Sequence, residues 1–337
     1  MVQFLPLVIL KLAMKQFIKK APHSLIVAAG LGLLAVMSPF LFDAAMISLF
    51  TKILIFGLFA MSLDLLVGYT ALWSFGHAAF FGIAGYSTGI LITRFDISSF
   101  WITLPATILI VFIFSAIYGF ISLRVSGTYF LLVTLALGEI TYHTSVALYD
   151  WTGGETGLAS IPYPSFIDSS EGIYYFVLAI CLACFAFLHF LVKSPFGQSL
   201  KGIREDENRM KCLGYNVWLH KYIAFIVAGL FAGISGVLYA HYNGVIVTYD
   251  VGLVASGLPW LMLIIGGAGT LWGSLIGSAV VFFLEYFTSS LTPGRWPLIE
   301  GAIFVIVIMA ARQGILVWIR QMGILVWIRD FIKKRKR

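Results

Sequence analysis

An ionisable pair lies inside an apolar stretch of the chain. Glu139, Tyr142 and His143 fall at positions i, i+3 and i+4 of the segment 128–149, so a helix there would carry them on one face. A neighbouring strip of the same segment is small and polar, with Thr134, Gly138, Thr141 and Ser145. Ionisable groups at membrane depth are costly when they face lipid. This face is therefore predicted either to line a water-filled substrate passage or to clamp packed helices together.

Two further ionisable residues raise the same question. Asp64 falls near the end of an apolar run, where it is predicted to cap a helix or to reach the membrane interface. His77 opens a glycine-rich segment directly after Gly76. It is a candidate for the wall of a passage as well as for a structural role.

The motifs of catalysis are not recognised in the sequence. There is no G-x-x-x-x-G-K-[ST] loop to hold nucleotide phosphates, and no H-E-x-x-H, nucleophile elbow or pair of intramembrane aspartates is recognised. Cys181 and Cys184 have C-x-x-C spacing but no second ligand pair, so they are predicted to be small apolar membrane residues. We therefore predict no enzyme activity, no catalytic or metal site, no cofactor and no nucleic-acid partner.

The composition indicates that most of the chain is embedded in a lipid membrane. Hydrophobic residues make up 60% of the 337 and charged residues 11%, which is unlike a water-soluble domain. A hydrocarbon core of about 30 Å needs about 20 apolar residues per helix. Such stretches are predicted at 24–42, 46–68, 76–93, 100–123, 128–149, 173–192, 222–240, 258–287 and 296–311.

The distribution of basic residues predicts the orientation of these spans. Lys19 and Lys20 precede the first span, six basic residues lie within 193–221, and the chain ends in a basic run at 333–337. The segment 150–172 contains no Lys or Arg. Basic loops stay on the cytoplasmic side, so the N-terminus, the 193–221 loop and the C-terminal tail are predicted to be cytoplasmic.

This orientation requires an even number of crossings after the 193–221 loop. The stretch 258–287 has 30 residues and is interrupted by Gly266, Gly267, Gly269 and Gly273, so it is predicted to form two short, broken segments. The total is then about ten crossings in an all-α, polytopic transmembrane helical bundle. Broken helices at membrane depth must be buried or line a cavity, which makes these glycines candidates for the transport path.

The chain is predicted to have three parts. Residues 1–20 form a basic interfacial segment, 21–312 the transmembrane domain, and 313–337 a basic cytoplasmic tail. The tail contains a duplication, because the sequence GILVWIR at 314–320 recurs at 323–329. Its Trp and Arg residues are suited to anchoring a last helix at the membrane interface.

The 193–221 loop carries its own helix signals. Ser194 followed by Pro195 starts a helix and Gly214 ends one. Between them an apolar strip is predicted from Leu200, Ile203, Met210 and Leu213. The loop is predicted to form one short amphipathic helix that docks in a groove of a partner and passes motion to it.

Five blocks of sequence, in this order, resemble the LivM-type branched-chain amino acid permeases. They lie at 65–82, 124–140, 152–158, 196–214 and 266–273, and the similarity extends over roughly 63–316. The resemblance implies a permease subunit of an ABC importer in the bacterial inner membrane, without an ATPase site of its own. The implied partners are a second, LivH-like permease, two cytoplasmic ABC ATPases that use ATP, a periplasmic substrate-binding protein and membrane lipid.

The resemblance also implies that the 193–221 loop contacts an ATPase, through Gly197, Gly202, Arg204, Glu205, Asp206 and Gly214. The candidate transport path comprises His77, Thr134, Glu139, His143, Gly266, Gly267 and Gly269. Branched-chain or related hydrophobic amino acids are the implied substrates. Two alternatives stay open: a urea or short-chain amide permease of the same family, and a secondary transporter that uses Asp64, Glu139 or His143 as an ion site.

Overall fold

The computed structural model describes residues 42–164, 167 and 169–291, together with 39, 298–299, 301–302, 304–305 and 309. The chain divides into two compact units, 1–47 and 48–337, and the sites described below lie in the second. The predicted interfacial segment at 1–20, the span 24–42 except for residues 39 and 42, and the duplicated tail lie outside the described residues. Most of the predicted span 296–311 also lies outside them.

The described residues are almost entirely helical. In chain order the helices are α1 (Ala44–Thr70), α2 (His77–Thr93), α3 (Phe100–Ser122), α4 (Thr128–Ala147), α5 (Tyr149–Thr152), α6 (Ser170–Lys193), α7 (Pro195–Glu205), α8 (Glu207–Cys212), α9 (Val217–Asn243), α10 (Leu253–Gly266) and α11 (Leu271–Leu291). Two 3-10 turns lie at Gly154–Thr156 and Thr248–Asp250.

Six of these helices are long and apolar enough to cross a membrane, namely α1, α3, α4, α6, α9 and α11. The apolar helices α2 and α10 are shorter, at 17 and 14 residues. At 1.5 Å per residue they extend about 26 Å and about 21 Å, less than the full hydrocarbon core. The predicted spans 46–68, 100–123, 128–149, 173–192 and 222–240 therefore correspond to five of the six long helices, and the predicted span 76–93 corresponds to the shorter α2.

The glycine-rich stretch 258–287 is divided as predicted, but unequally. Helix α10 ends at Gly266 and α11 begins at Leu271, so the chain turns over four residues. Gly267 and Gly269 adopt φ values of 103° and 83°, which disfavour any residue with a Cβ. The prediction of two short segments is wrong for α11, because its 21 residues suffice for a crossing.

The core of the bundle is built around α1 and α9. Their most apolar windows are 61% and 67% buried, against 28% in α3 and 22% in α4, so α3 and α4 lie at the periphery. Helix α9 packs along α2 and α3, while α10 packs on α11. Glycines permit the close approach of backbones: a Cβ at Gly236 would overlap the Phe81 carbonyl, and one at Gly277 the Met262 carbonyl.

The 193–221 loop contains two helices where one was predicted. Helix α7 starts as expected, because Ser194 Oγ accepts a hydrogen bond from the Gly197 N–H at 3.3 Å and Pro195 occupies the first turn. The chain then becomes extended at Asp206, whose carboxylate caps α8 by accepting the N–H groups of Asn208 and Arg209 at 3.0 Å. A strongly capping residue between two apolar positions starts a second helix rather than continuing the first.

The apolar strip of this loop is confirmed except at its end. Leu200, Ile203 and Met210 are buried, whereas Leu213 is 67% exposed because it follows the last turn of α8. Gly214 ends this segment with a φ of 86°.

At the other end of the bundle, the segment after α5 is joined to the segment after α9. Leu158 and Ile246 form an isolated antiparallel bridge, with N–H to carbonyl distances of 2.9 and 3.0 Å. The Gly-rich block 152–158 makes the tight turn before this bridge, and Gly153, Gly154 and Gly157 all have positive φ. This block therefore helps to join the segment after α5 to the segment after α9.

Candidate functional site

The small polar strip of α4 packs against the turn that precedes α2. The Phe75 N–H donates to Thr134 Oγ1 at 3.2 Å, and Gly76 lies against the Thr134 carbonyl and Gly138. Farther along, Thr141 Oγ1 and the Tyr118 hydroxyl of α3 are 2.8 Å apart. Thr134 and Gly138 thus hold helices together in this chain, which agrees with the clamp interpretation for this part of the strip.

Glu139 and His143 point in a different direction. Their side chains are 35% and 74% exposed, and Glu139 Oε2 lies 3.9 Å from His143 Nε2. The pair therefore lies on the outer surface of this chain, on the helix with the least buried apolar window among the six long helices. The predicted polar half of α4 separates into an inner strip that packs and an outer pair that does not.

His77 lies in the core, at the start of α2. It is fully buried, its Nε2 is 2.8 Å from Ser62 Oγ of α1, and its ring stacks on Phe59 at 5.6 Å between centroids. The next residue, Ala78, donates its N–H to Ser256 Oγ of α10 at 3.1 Å. His77 is thus placed where α1, α2 and α10 meet, away from the exposed Glu139 and His143 pair.

A gap lies between the α2 turn, α3 and α4. It has essentially no room for a water-sized molecule, and its lining residues are Ser74, Gly76, Phe80, Tyr118, Ser122, Thr134, Leu137 and Phe225. Pockets for small molecules usually measure about 300–1,000 Å³. Within the described part of this single chain, the Thr134 region is therefore closed rather than open to a substrate.

Asp64 binds the turn between α10 and α11. Its side chain is fully buried, and its Oδ1 accepts a 2.6 Å hydrogen bond from the Gly269 N–H. The prediction that Asp64 reaches the membrane interface is wrong, because its carboxyl group is enclosed. It does act as a cap, but for a turn 205 residues away rather than for its own helix.

Arg204 reaches the same place from α7. Its Nη1 donates to the carbonyl oxygen of Gly68, one turn beyond Asp64 on α1. The glycines Gly266, Gly267 and Gly269, predicted to line the path, are thereby located at the end of α1 and beside the α7–α8 pair. The predicted path residues fall into four places: the inner α4 strip with Thr134, the core position of His77, the outer Glu139–His143 face, and this turn.

The remaining loop residues have distinct surroundings. Glu205 is exposed at the end of α7, while Asp206 caps α8 and lies 3.9 Å from Arg209. Gly202 packs beside the Met210 sulfur, so it allows α7 and α8 to approach each other. Glu207 forms an ion pair with Lys221 of α9, which fastens α8 to a core helix.

Sequence reasoning missed one ion pair and one partly buried carboxyl group. Lys52 of α1 forms an ion pair with Glu285 of α11 at 3.2 Å. Asp250 lies outside the helices, where its Oδ2 accepts the Val247 N–H at 3.1 Å. Burial raises the pKa of Asp250 to about 6, and hydrogen bonds from Val247 and Tyr239 oppose this shift. No local pattern marks these residues, since Lys52 and Glu285 are 233 positions apart.

Helix α2 contains a sequence that matches the pattern of a catalytic serine. Residues 85–89 read G-Y-S-T-G, the letters of a G-x-S-x-G nucleophile elbow. They lie in the interior of α2, whereas an elbow requires a sharp strand-to-helix turn that exposes the serine. The letters do not form an elbow here.

Comparisons with known proteins point to one family. The family model described as "Branched-chain amino acid transport system / permease component" matches residues 45–311. The LivM permease of Salmonella typhimurium is 24% identical over 310 residues, covering 84% of this chain and 72% of that protein. The LivM permease of Escherichia coli matches to the same extent.

Two other relatives extend the comparison. The LivH permease of Salmonella typhimurium is 21% identical and covers 77% of this chain and 91% of its own length. The guanosine ABC transporter permease NupQ of Bacillus subtilis is 29% identical over 154 residues, 46% of this chain and 47% of NupQ. No solved structure matches the chain. The apolar helices and the family match identify an integral membrane protein, and the chain belongs to the family of branched-chain amino acid transport system permease components.

Proposed function

We propose that this chain is a membrane-spanning subunit of an ATP-driven importer for branched-chain or related hydrophobic amino acids in the bacterial inner membrane. The observation that carries the proposal is the family match over residues 45–311, together with the likeness to LivM over 84% of the chain. The chain has no nucleotide-binding loop in its sequence, so the ATP is bound and hydrolysed by partner subunits.

Ten crossings are part of the proposal. The six long helices, the two shorter apolar helices and the predicted spans 24–42 and 296–311 make ten. With a cytoplasmic N-terminus, this count leaves the end of α1, the α7–α8 pair and the α10–α11 turn on the cytoplasmic side. The contacts of Gly68 with Arg204 and of Asp64 with Gly269 support this order, because they join these three segments.

The same order brings the connection after α4 and the connection after α9 to the opposite, periplasmic side. The bridge between Leu158 and Ile246 supports this assignment. The 150–172 segment has no basic residues, as periplasmic loops often do not. We propose that this side receives substrate from a periplasmic binding protein.

The α7–α8 pair is the proposed contact with a cytoplasmic ATPase. It is a compact element with a buried apolar strip on one side and exposed charged residues, including Glu205, on the other. One ATPase would dock on this chain and a second on a LivH-like permease. Closure of the two ATPases then moves the pair and changes the packing of the spans.

The outer face of α4 is the proposed wall of the passage. Ionisable groups that faced lipid would be costly, so Glu139 and His143 call for water or another subunit on this face. A passage formed between this chain and the second permease supplies both. The inner strip of Thr134 and Gly138 then keeps α4 in place.

The experiment is uptake by the whole complex in proteoliposomes. The chain is co-expressed with a LivH-like permease, two ABC ATPases and a binding protein from the same organism, and uptake of radiolabelled leucine, isoleucine and valine is measured with ATP inside the vesicles. Urea, acetamide and guanosine are tested in parallel, because NupQ is named a guanosine permease. The chain alone is also tested under proton and sodium gradients.

ATP-dependent uptake of the branched-chain amino acids is the expected result. Uptake of only urea or acetamide would replace the substrate with the alternative of the same family, and uptake of only guanosine would also overturn the amino acid assignment. Transport by the chain alone, driven by an ion gradient, would contradict the ABC assignment and favour a secondary transporter.

A further inference from the structure

The end of α1 contacts both the α7–α8 pair and the α10–α11 turn within one helical turn of chain. Asp64 accepts the Gly269 N–H at 2.6 Å, and four residues later the Gly68 carbonyl accepts Arg204 Nη1. The adjacent Tyr69 interacts with the backbone of Leu271, and Lys201 Nζ lies 5.7 Å from the centre of the Tyr69 ring. Each of the two segments is therefore held at two points by the same short piece of α1.

The contacts at this junction leave little room for independent movement. A Cβ at Gly68 would overlap Asp64 Oδ1 and the Gly269 N, and a Cβ at Gly269 would lie 3.0 Å from Arg204 Nη1 and 3.3 Å from the Gly68 oxygen. Gly269 also has a φ of 83°, so the turn adopts a conformation that other residues disfavour. A displacement of Arg204 therefore presses on Gly68 and Gly269 together.

Two features distinguish this junction from ordinary helix packing. The Asp64 carboxyl group is fully buried, and its Oδ2 has no hydrogen-bond partner among the described residues. Arg204 is an exposed side chain of α7 whose tip alone enters the junction. The hydrogen bond from Arg204 Nη1 to the Gly68 carbonyl holds the tip of Arg204 at the end of α1.

We propose that Arg204 and Asp64 are positioning residues that transmit motion of the α7–α8 pair to the α10–α11 turn. Arg204 links α7 to Gly68, and Asp64 links the same end of α1 to Gly269. This inference rests on the proposed function, because it names the route by which an ATPase docked on α7–α8 acts on the spans. It also assigns the glycines of the turn to this route rather than to the wall of the substrate path.

The test measures uptake and ATP hydrolysis by the reconstituted complex for Arg204→Gln, Asp64→Asn and Asp64→Leu. Arg124→Gln is the matched control, since Arg124 is an exposed arginine at the end of α3 that lies over the Phe120 ring. The amount of assembled complex is measured for each variant. Leucine uptake per ATP hydrolysed is then compared with that of the wild type.

In Arg204→Gln, we expect uptake per ATP to fall about tenfold while ATP hydrolysis per complex stays within about twofold, since coupling between sites is usually of this size. Asp64→Asn keeps an acceptor for the Gly269 N–H and should couple as the wild type does. Asp64→Leu removes the acceptor and should uncouple. Arg124→Gln should leave all three measurements unchanged.

The inference is overturned if Arg204→Gln keeps the wild-type ratio of uptake to ATP hydrolysis. It is equally overturned if its uptake falls only in proportion to a lower amount of complex, because a structural role predicts that outcome. The Arg204→Gln measurement decides the question even if Asp64→Leu does not assemble. Failure of the wild-type complex to take up any substrate with ATP would instead contradict the proposed function, and the inference with it.

Discussion

Gly76 lies directly against the backbone carbonyl of Thr134, and a Cβ at residue 76 would overlap that oxygen. The turn before α2 and the inner strip of α4 therefore approach each other as closely as two backbones can. The Phe75 N–H to Thr134 Oγ1 hydrogen bond of 3.2 Å lies beside this contact. Since most of the surface of α4 is outside the core, these contacts largely determine where α4 lies.

Gly76→Ala is expected to destabilise the chain by about 1–3 kcal/mol, because the added methyl group separates α4 from the turn before α2. The change in stability is measured by thermal unfolding of the purified protein in detergent, which is monitored by the protein's retention time on gel filtration. Gly257→Ala in α10 is the matched control, since nothing lies within 4 Å of a Cβ at that position. Equal behaviour of the two variants would contradict the close packing of Gly76 on Thr134.

The sequence predicted the helices of the described residues well because hydropathy is a local property. The division of 258–287 was predictable for a similar reason, since glycines at 266, 267 and 269 interrupt the apolar run. The burial of Asp64 was not predictable, because it depends on a partner 205 residues away. The position of an ionisable residue along its helix could not reveal what packs over it.

Two predictions near the candidate site were wrong for other physical reasons. The single helix predicted for the 193–221 loop is two helices, because Asp206 caps α8 more favourably than it continues α7. The polar half of α4 was treated as one surface, yet Thr134 faces the core and His143 is 74% exposed. Residues 134 and 143 differ by nine positions, which at 100° per residue places them on opposite faces.

The stability of the connection between α9 and α10 is expected to depend on pH through Asp250. Burial raises its pKa from 3.8 to about 6, so the folded state binds the proton more tightly than the unfolded state. Protonation of Asp250 therefore stabilises the folded state at low pH, and this stabilisation is lost as the pH rises through about 6. Between about pH 5 and pH 8 we expect a loss of about 1 kcal/mol.

Thermal unfolding of the wild type and of Asp250→Asn at both pH values measures this effect. The amide keeps an acceptor for the Val247 N–H but does not titrate, so the variant should show the smaller pH dependence. Identical pH profiles for the two proteins would show that Asp250 does not contribute.

Glu205→Lys is expected to weaken the docking of an ATPase on α7 by about tenfold, because reversing an exposed charge disturbs electrostatic complementarity. Asp206→Lys combined with Arg204→Glu should also uncouple uptake. That pair of changes removes the cap of α8 and the Arg204 to Gly68 hydrogen bond as well. Glu205→Lys therefore tests the docking contact more directly.

Affinity of the ATPase for detergent-solubilised permease provides the measurement for Glu205→Lys. Glu171→Lys is the control, since Glu171 is also exposed but lies at the opposite end of α6 from the α7–α8 pair. A wild-type affinity in Glu205→Lys would remove Glu205 from the contact.

The outer face of α4 leads to a prediction that separates its two interpretations. Glu139→Gln should lower the maximal rate of leucine uptake by at least about threefold if this face lines the passage, because the charge at membrane depth is lost. The amount of complex should not change, since Glu139 is 35% exposed and its ionic neighbour among the described residues, His143, is 3.9 Å away on the same helix. Initial rates over a range of leucine concentrations, normalised to complex, provide the measurement.

Arg124→Gln serves as the control for Glu139→Gln, because it removes an exposed charge at the end of α3. It should leave both the rate and the amount of complex unchanged. If the Glu139→Gln protein had normal kinetics but a lower yield, the outer face of α4 would also be interpreted as a surface that packs helices together. In that case α4 would contribute packing on both faces, and the passage would have to lie along other helices of the bundle.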